Sequence, residues 1–127
     1  MILKIYSIKL VLEYLVKNLL RGDFKLFVVI VKFKIPDDSN SNDIKNKFQE
    51  TAPIYQDTDG LIRKNYLLNK DKNLAGGIYI FDTSKNAHKW FDQSRIEWLT
   101  ERYSEPEISY FDSPLEVNNS DKKININ

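Results

Sequence analysis

The chain has 127 residues, a formal net charge of +1 and no cysteine. That length supports one domain with a sizeable core, and the near-zero charge offers no broad basic field for nucleic acid or an anionic membrane. The missing thiol excludes disulfides, thiolate catalysis and Cys-ligated zinc, which fits the cytosol.

The N-terminal run MILKIYSIKLVLEYLVKNLL is apolar, but Lys4, Lys9, Glu13 and Lys17 interrupt it. A membrane span needs about 18 or more uncharged residues, and a secretory signal needs an uncharged apolar centre, so neither is expected. Ile5, Ile8, Leu12, Leu15 and Leu19 step by three and four, the spacing of an amphipathic helix. Residues 1–23 therefore read as a helical extension that docks on this protein or on a second copy. A membrane-surface or targeting helix, and a segment missing from the mature chain, are the competing readings.

Residues 24–35, rich in Val, Ile and Phe, read as the first strand. The polar loop PDDSNSND follows. Ser41 or Asn42 is expected to cap a helix carrying Ile44, Phe48 and Ala52, which Pro53 ends or restarts. QDTDG is a turn. Residues 61–68 form a second strand, and NKDKN connects it to a third, 75–81, as an antiparallel neighbour. Asp82, Thr83 or Ser84 caps a second helix with Ala87, Trp90 and Phe91 on one face. Ser94 and Glu97 have the spacing of a capping box, so a break near Gln93 and a restart through Trp98 and Leu99 to about Tyr103 are expected. Residues 106–117 read as the last strand, and 118–127, NNSDKKININ, as a disordered polar tail.

The order β-α-β-β-α-β over 24–117 is the ferredoxin-like α+β plan, a four-stranded antiparallel sheet with two helices on one face. Such a sheet should alternate apolar with polar residues. The first strand does not: Phe27, Val29, Val31, Phe33 and Ile35 line one face, while Leu26, Val28 and Ile30 line part of the other. The simplest cover for the second face is another copy of the same sheet, hence a homodimer. The rival cover is the N-terminal helix.

The stretches TAPIYQDTDGLIRKNYLL, AGGIYIF and ERYSEPEISYFDSPLEVNN resemble the small mono-oxygenase-type proteins of the YdhR family, within the dimeric α+β barrel superfamily. The resemblance covers roughly residues 26–119. Its strongest points are Gly60-Leu61-Ile62-Arg63-Lys64, Ala75-Gly76-Gly77-Ile78-Tyr79 and Tyr110-Phe111-Asp112-Ser113-Pro114; residues 1–23 have no counterpart in it. It implies a ferredoxin-like protomer and a barrel formed by two sheets. Relatives in the superfamily oxidise electron-rich phenols or hydroquinones with molecular oxygen and without metal or flavin, while others bind haem or isomerise small molecules.

Cofactor-free oxygenation asks the protein for a dry pocket, help with deprotonating the substrate, and stabilisation of a developing oxygen anion. Tyr66, Tyr79, Trp90, Phe91, Trp98 and Tyr110 offer aromatic walls, and Arg63, Lys64, Asn65 and His88 offer polar groups. Arg63 and Lys64 must point to opposite faces of their strand, so at most one enters a given cavity and holds an anion. Tyr79, Tyr110 and His88 are the candidates for catalysis. His88 is the chain's single histidine; it suits proton transfer near neutral pH and could instead be an axial haem ligand. Gly76 and Gly77 either permit close packing or a bulge, or leave room for a flat ligand. The expectation is a cytosolic homodimer that oxygenates a small hydroxylated aromatic without a cofactor. A non-catalytic module binding a small ligand in the same cavity is the competing class.

Overall fold

β1 (Phe27–Lys34) alternates between two environments. Phe27, Val29, Val31 and Phe33 are buried, with Ile35 just beyond the strand, whereas Lys32 and Lys34 point the other way into solvent. In the computed structural model, residues 8–13 and 25–127 are described. The chain continues through α2 (Ser41–Gln56), β2 (Leu61–Asn69), β3 (Leu74–Phe81), α3 (Ser84–Trp90), α4 (Gln93–Arg102), β4 (Glu107–Asp112), β5 (Leu115–Asn118) and β6 (Lys123–Ile126). A helical segment at residues 8–13, α1, precedes them, and its six residues are exposed. The rest of the expected N-terminal helix lies outside the described residues.

Four strands form an antiparallel sheet in the order β2-β3-β1-β4, the ferredoxin-like arrangement. The helices cover the face that carries Val29, Tyr79, Phe81 and Lys64. Phe33 stacks on Tyr103, Phe48 on Tyr66, and Phe91 meets Tyr79 edge-on. Lys47 donates to the Arg102 carbonyl, and Arg102 donates to the Lys47 carbonyl and to Glu50, which ties α2 to the end of α4. Among the described residues no helix covers the opposite face. Val28 pairs with Ile80 and Ile30 with Ile78 across it, and Phe111 and Leu67 stand exposed beside them.

Several local details depart from the sequence expectation. Asn40, rather than Ser41 or Asn42, caps α2, because Asp43 sits three residues on and returns the bond: each side chain accepts from the other's backbone N–H at 2.9 Å. Pro53 lies inside α2 rather than ending it, and the last turn beyond it buries Tyr55. The break near Gln93 is present, but Asp92 caps α4 by accepting from the Arg95 N–H at 2.8 Å. Glu97 instead takes a bond from Gln93.

The larger correction concerns the C-terminus. The strand expected at 106–117 is interrupted at Ser113-Pro114, and the tail expected to be disordered forms the second arm of a hairpin, β5–β6. The polar composition hides an alternation: Ile124 and Ile126 pair with Val117 and Leu115. Asn127 then bonds back to Pro114 and Ser113.

Gly76 explains one of the paired glycines. A Cβ there would run into the Val31 carbonyl of β1, a backbone group held in the ladder. Gly76→Ala is therefore expected to cost roughly 2–3 kcal/mol, the upper part of the range for overpacking, because the clash is with backbone. Urea unfolding should show a loss clearly larger than for Gly77→Ala, whose added carbon meets mainly side chains at 3.1 and 3.2 Å.

Candidate functional site: a caged lysine between helices and sheet

The register of β2 against β3 sends Lys64, Tyr66 and Leu68 toward the helices, opposite Tyr79, Gly77 and Ala75. Lys64 thus enters the core side of the sheet. Its Nζ lies 3.3 Å from the centroid of the Tyr55 ring, 3.8 Å from Tyr66 and 4.5 Å from Tyr79. Tyr55 comes from the last turn of α2, Tyr66 from β2 and Tyr79 from β3, so three elements build the cage. Tyr66 is fixed by its stack on Phe48 and by a 2.8 Å hydrogen bond between its hydroxyl and that of Thr51. Tyr79 is held edge-on by Phe91. Among the described residues no carboxylate forms an ion pair with Lys64.

Opposing forces act on that amine. Ring faces attract an ammonium ion. Burial works against the charge and is the larger effect, and the Arg95 guanidinium pushes the same way. The Lys64 pKa falls to about 6. The surrounding phenols cannot supply a counter-charge near neutrality. Burial raises the Tyr55 hydroxyl to about 12, raises Tyr66, and raises Tyr79 well above the ordinary tyrosine range. The cage therefore holds a mostly uncharged, basic amine among neutral phenols at pH 7.

Gly77 makes room for it. A Cβ on Gly77 would stand 3.1 Å from Tyr79 Cε1 and 3.2 Å from Lys64 Cε, so the bare backbone is the floor under the lysine. The enclosed gap around the cage, about 10 Å³, holds no more than a water-sized occupant. Access comes from a groove of about 320 Å³ between α2 and β2, lined by Ala52, Gln56, Leu61 and Arg63 with Tyr55, Lys64 and Tyr66 at its inner wall.

The other sequence candidates are distributed as follows. Arg63 projects from the opposite side of β2, donates to Asn65 at 3.3 Å and reaches the groove only at its rim, where the strand bulges between Leu61 and Arg63. Trp90 meets Tyr55 edge-on at 5.5 Å, with Arg95 over its ring at 3.8 Å; its indole N–H is buried without a partner among the described residues. His88 and Tyr110 pack together at 4.5 Å beside Phe27. His88 is exposed, and Val29 of β1 separates Tyr110 from Tyr79 in the register. Tyr79, His88 and Tyr110 do not form one constellation.

Tyr55, Thr51 and Arg95 were not singled out from the sequence. The helix stripe Ile44, Phe48, Thr51, Tyr55 has the right spacing, but stopping the helix at Pro53 removes Tyr55 from it. No local pattern signals Arg95, since its effect on Lys64 is made through space.

A family model described as "Putative mono-oxygenase ydhR" matches residues 28–119. No curated protein sequence matches the chain. Among solved structures, the chain is similar to a variant of SnoaB, a cofactor-independent oxygenase from Streptomyces nogalater. The identity is 14%, the match covers 75% of this chain and 99% of that one, and the TM-score is 0.58. It is also similar to NE2512, a protein of unknown function from Nitrosomonas europaea (10% identity, 72% and 92% covered, TM-score 0.57). SO0527 from Shewanella oneidensis is a third (9% identity, 70% and 91% covered, TM-score 0.56). At these identities the likeness is one of fold. Among the described residues no helix is long and apolar enough to cross a membrane, and no three His, Asp or Glu side chains stand together as a metal site would need.

The Lys64 environment makes stability depend on pH with a definite sign. Between about pH 6 and 10.5 the unfolded chain holds a proton on this lysine that the folded chain lacks, so stability should rise with pH through that window. The caged tyrosines act oppositely and only at higher pH: their raised values stabilise the fold below pH 10, and that contribution is lost as pH rises through them. Lys64→Met should therefore flatten the rise in urea midpoint between about pH 6 and 10, read from wild type and variant side by side.

Proposed function

The chain belongs to the ydhR mono-oxygenase family, and from that premise we propose that it inserts oxygen into a small hydroxylated aromatic, with Lys64 as the base. The observation that carries this reading is the half-buried lysine that lines a groove and has no carboxylate partner among the described residues. A phenol entering the groove supplies the missing partner. Its hydroxyl proton passes to the uncharged amine, and the resulting ammonium holds the phenolate in a site where water is scarce.

The chemistry then belongs to the substrate. The phenolate gives electrons to molecular oxygen in one-electron steps, and a ring carbon forms a bond to oxygen. The lysine ammonium returns its proton to the peroxide. Loss of the proton on that ring carbon, with cleavage of the O–O bond, leaves a ring carbonyl and releases water. Phenol and oxygen thus become quinone and water, and the substrate provides all the electrons, so the reading asks for no bound cofactor. In this proposal Tyr55, Tyr66 and Tyr79 form the walls, Trp90 and Phe91 support them, Gly77 leaves the space, and Arg63 stands at the rim. Gly76 serves the sheet.

We also propose that the protein works as a sheet-to-sheet homodimer in the cytosol. The face with Val28, Ile30, Ile78, Ile80 and Phe111, which no helix among the described residues covers, supports the dimer, because an apolar sheet face in water is unfavourable. The hairpin residues Leu115, Val117, Ile124 and Ile126 are likewise apolar and exposed in the single chain.

Oxygen uptake by the purified protein, without added metal, flavin or nicotinamide, over a panel of hydroquinones and polycyclic phenols tests the reaction. Uptake above buffer and boiled protein is expected, with an oxygenated product by mass. Lys64→Met should lower it at least about 100-fold, the lower range of general-base contributions, while His88→Ala leaves it within about twofold. Equal loss in both variants would remove Lys64 from the central role; stoichiometric binding with unchanged ligand would make the protein a binding module. Sedimentation should show a dimer that Ile30→Glu converts to a monomer.

A further inference from the structure

An uncharged amine is a nucleophile as well as a base. We propose that Lys64 also captures small aromatic aldehydes, forming a Schiff base at the inner end of the groove between α2 and β2. Three observations converge on this. The Nζ has three phenol rings around it, and Lys64 lines the groove together with Ala52, Gln56 and Leu61. No carboxylate among the described residues holds it as an ammonium ion. Its protonation is suppressed by burial and by the nearby Arg95. The aromatic lining favours an aryl group over an alkyl chain of similar size.

The step needs no oxidant or reductant. The Nζ lone pair attacks the carbonyl carbon, and the carbonyl electron pair moves to oxygen, which takes up a proton. The carbinolamine then loses its hydroxyl and the remaining amine proton as water. Amine and aldehyde become imine and water. When the imine is protonated, its cation lies over the ring faces that surround the amine, which favours it. Tyr55, Tyr66, Tyr79 and Tyr103 are the titratable groups around it, with Arg95 the nearby fixed charge, and no acid among them competes for the cation. The inference goes beyond the oxygenase reading: it uses the same amine but neither oxygen nor a phenol.

Benzaldehyde with sodium cyanoborohydride at pH 7 tests it, because the hydride reduces the imine to a stable benzyl-lysine. Benzaldehyde has no phenolic hydroxyl, so the labelling and the oxygen-uptake experiments can succeed or fail separately. Peptide mapping of the folded wild-type protein should show Lys64 labelled at least about tenfold faster than the exposed Lys45 and Lys85. In concentrated urea the preference should vanish. Gly77→Ala, which crowds Lys64 Cε, should slow labelling at Lys64 without changing Lys45. Labelling of Lys64 no faster than Lys45 in the folded protein, or a preference that survives urea, overturns the proposal.

Discussion

Neighbouring residues on a strand face opposite sides of the sheet, and in β2 that constraint separates Arg63 from Lys64. Arg63 goes to the opposite side and remains exposed. Lys64 goes to the side the helices cover and loses much of its water. The same period, carried across the register, puts Gly77 under Lys64 and Gly76 against the backbone of β1. Two adjacent glycines thus have different tasks: one allows strand pairing, the other makes space for a side chain. It also divides the sheet into a covered face that holds Lys64 and an apolar face that no helix covers among the described residues.

A lysine placed this way works against folding. Transfer of an ammonium ion away from water is costly, and a protein ordinarily pairs it with a carboxylate. Here the partners are three ring faces, each attracting the ion by on the order of 2 kcal/mol when desolvated, less than the cost of removing it from water. The charge is therefore given up near neutrality, and the outcome is a basic, nucleophilic amine at the end of a groove. Perturbed groups of this kind concentrate at sites of function because a salt bridge or an apolar side chain would be the more stable choice. Both proposals for this chain draw on that single property.

The second ring system has a different character. His88, Tyr110 and Phe27 pack at the other side of β1, near the end of the sheet. Their rings touch, but the histidine is exposed. Residue type made His88 and Tyr110 attractive candidates, whereas the register separates them from Tyr79. Arg95, by contrast, acts on Lys64 from another element while lying over Trp90 and Trp98.

The order of strands and helices as far as β4, the antiparallel hairpin between β2 and β3, the break near Gln93 and the alternation of Arg63 with Lys64 were legible in the sequence, because each rests on contacts between near neighbours in the chain. Local signals also carried the Asn40–Asp43 cap and the Ile124–Ile126 alternation, although polar surroundings and competing cap residues obscured them. Which face of β2 the helices cover, and hence which cation is desolvated, depended on the packing of α2 and α4 on the sheet. The cage required Tyr55, Tyr66 and Tyr79 to meet from three separate elements, and Tyr55 reached it only because α2 continues through Pro53. A pKa is set by the water and charge within a few ångströms, and for Lys64 those surroundings come from residues up to 39 positions away in the sequence. Residue identities determined which cations were available; tertiary packing decided which of them would be desolvated.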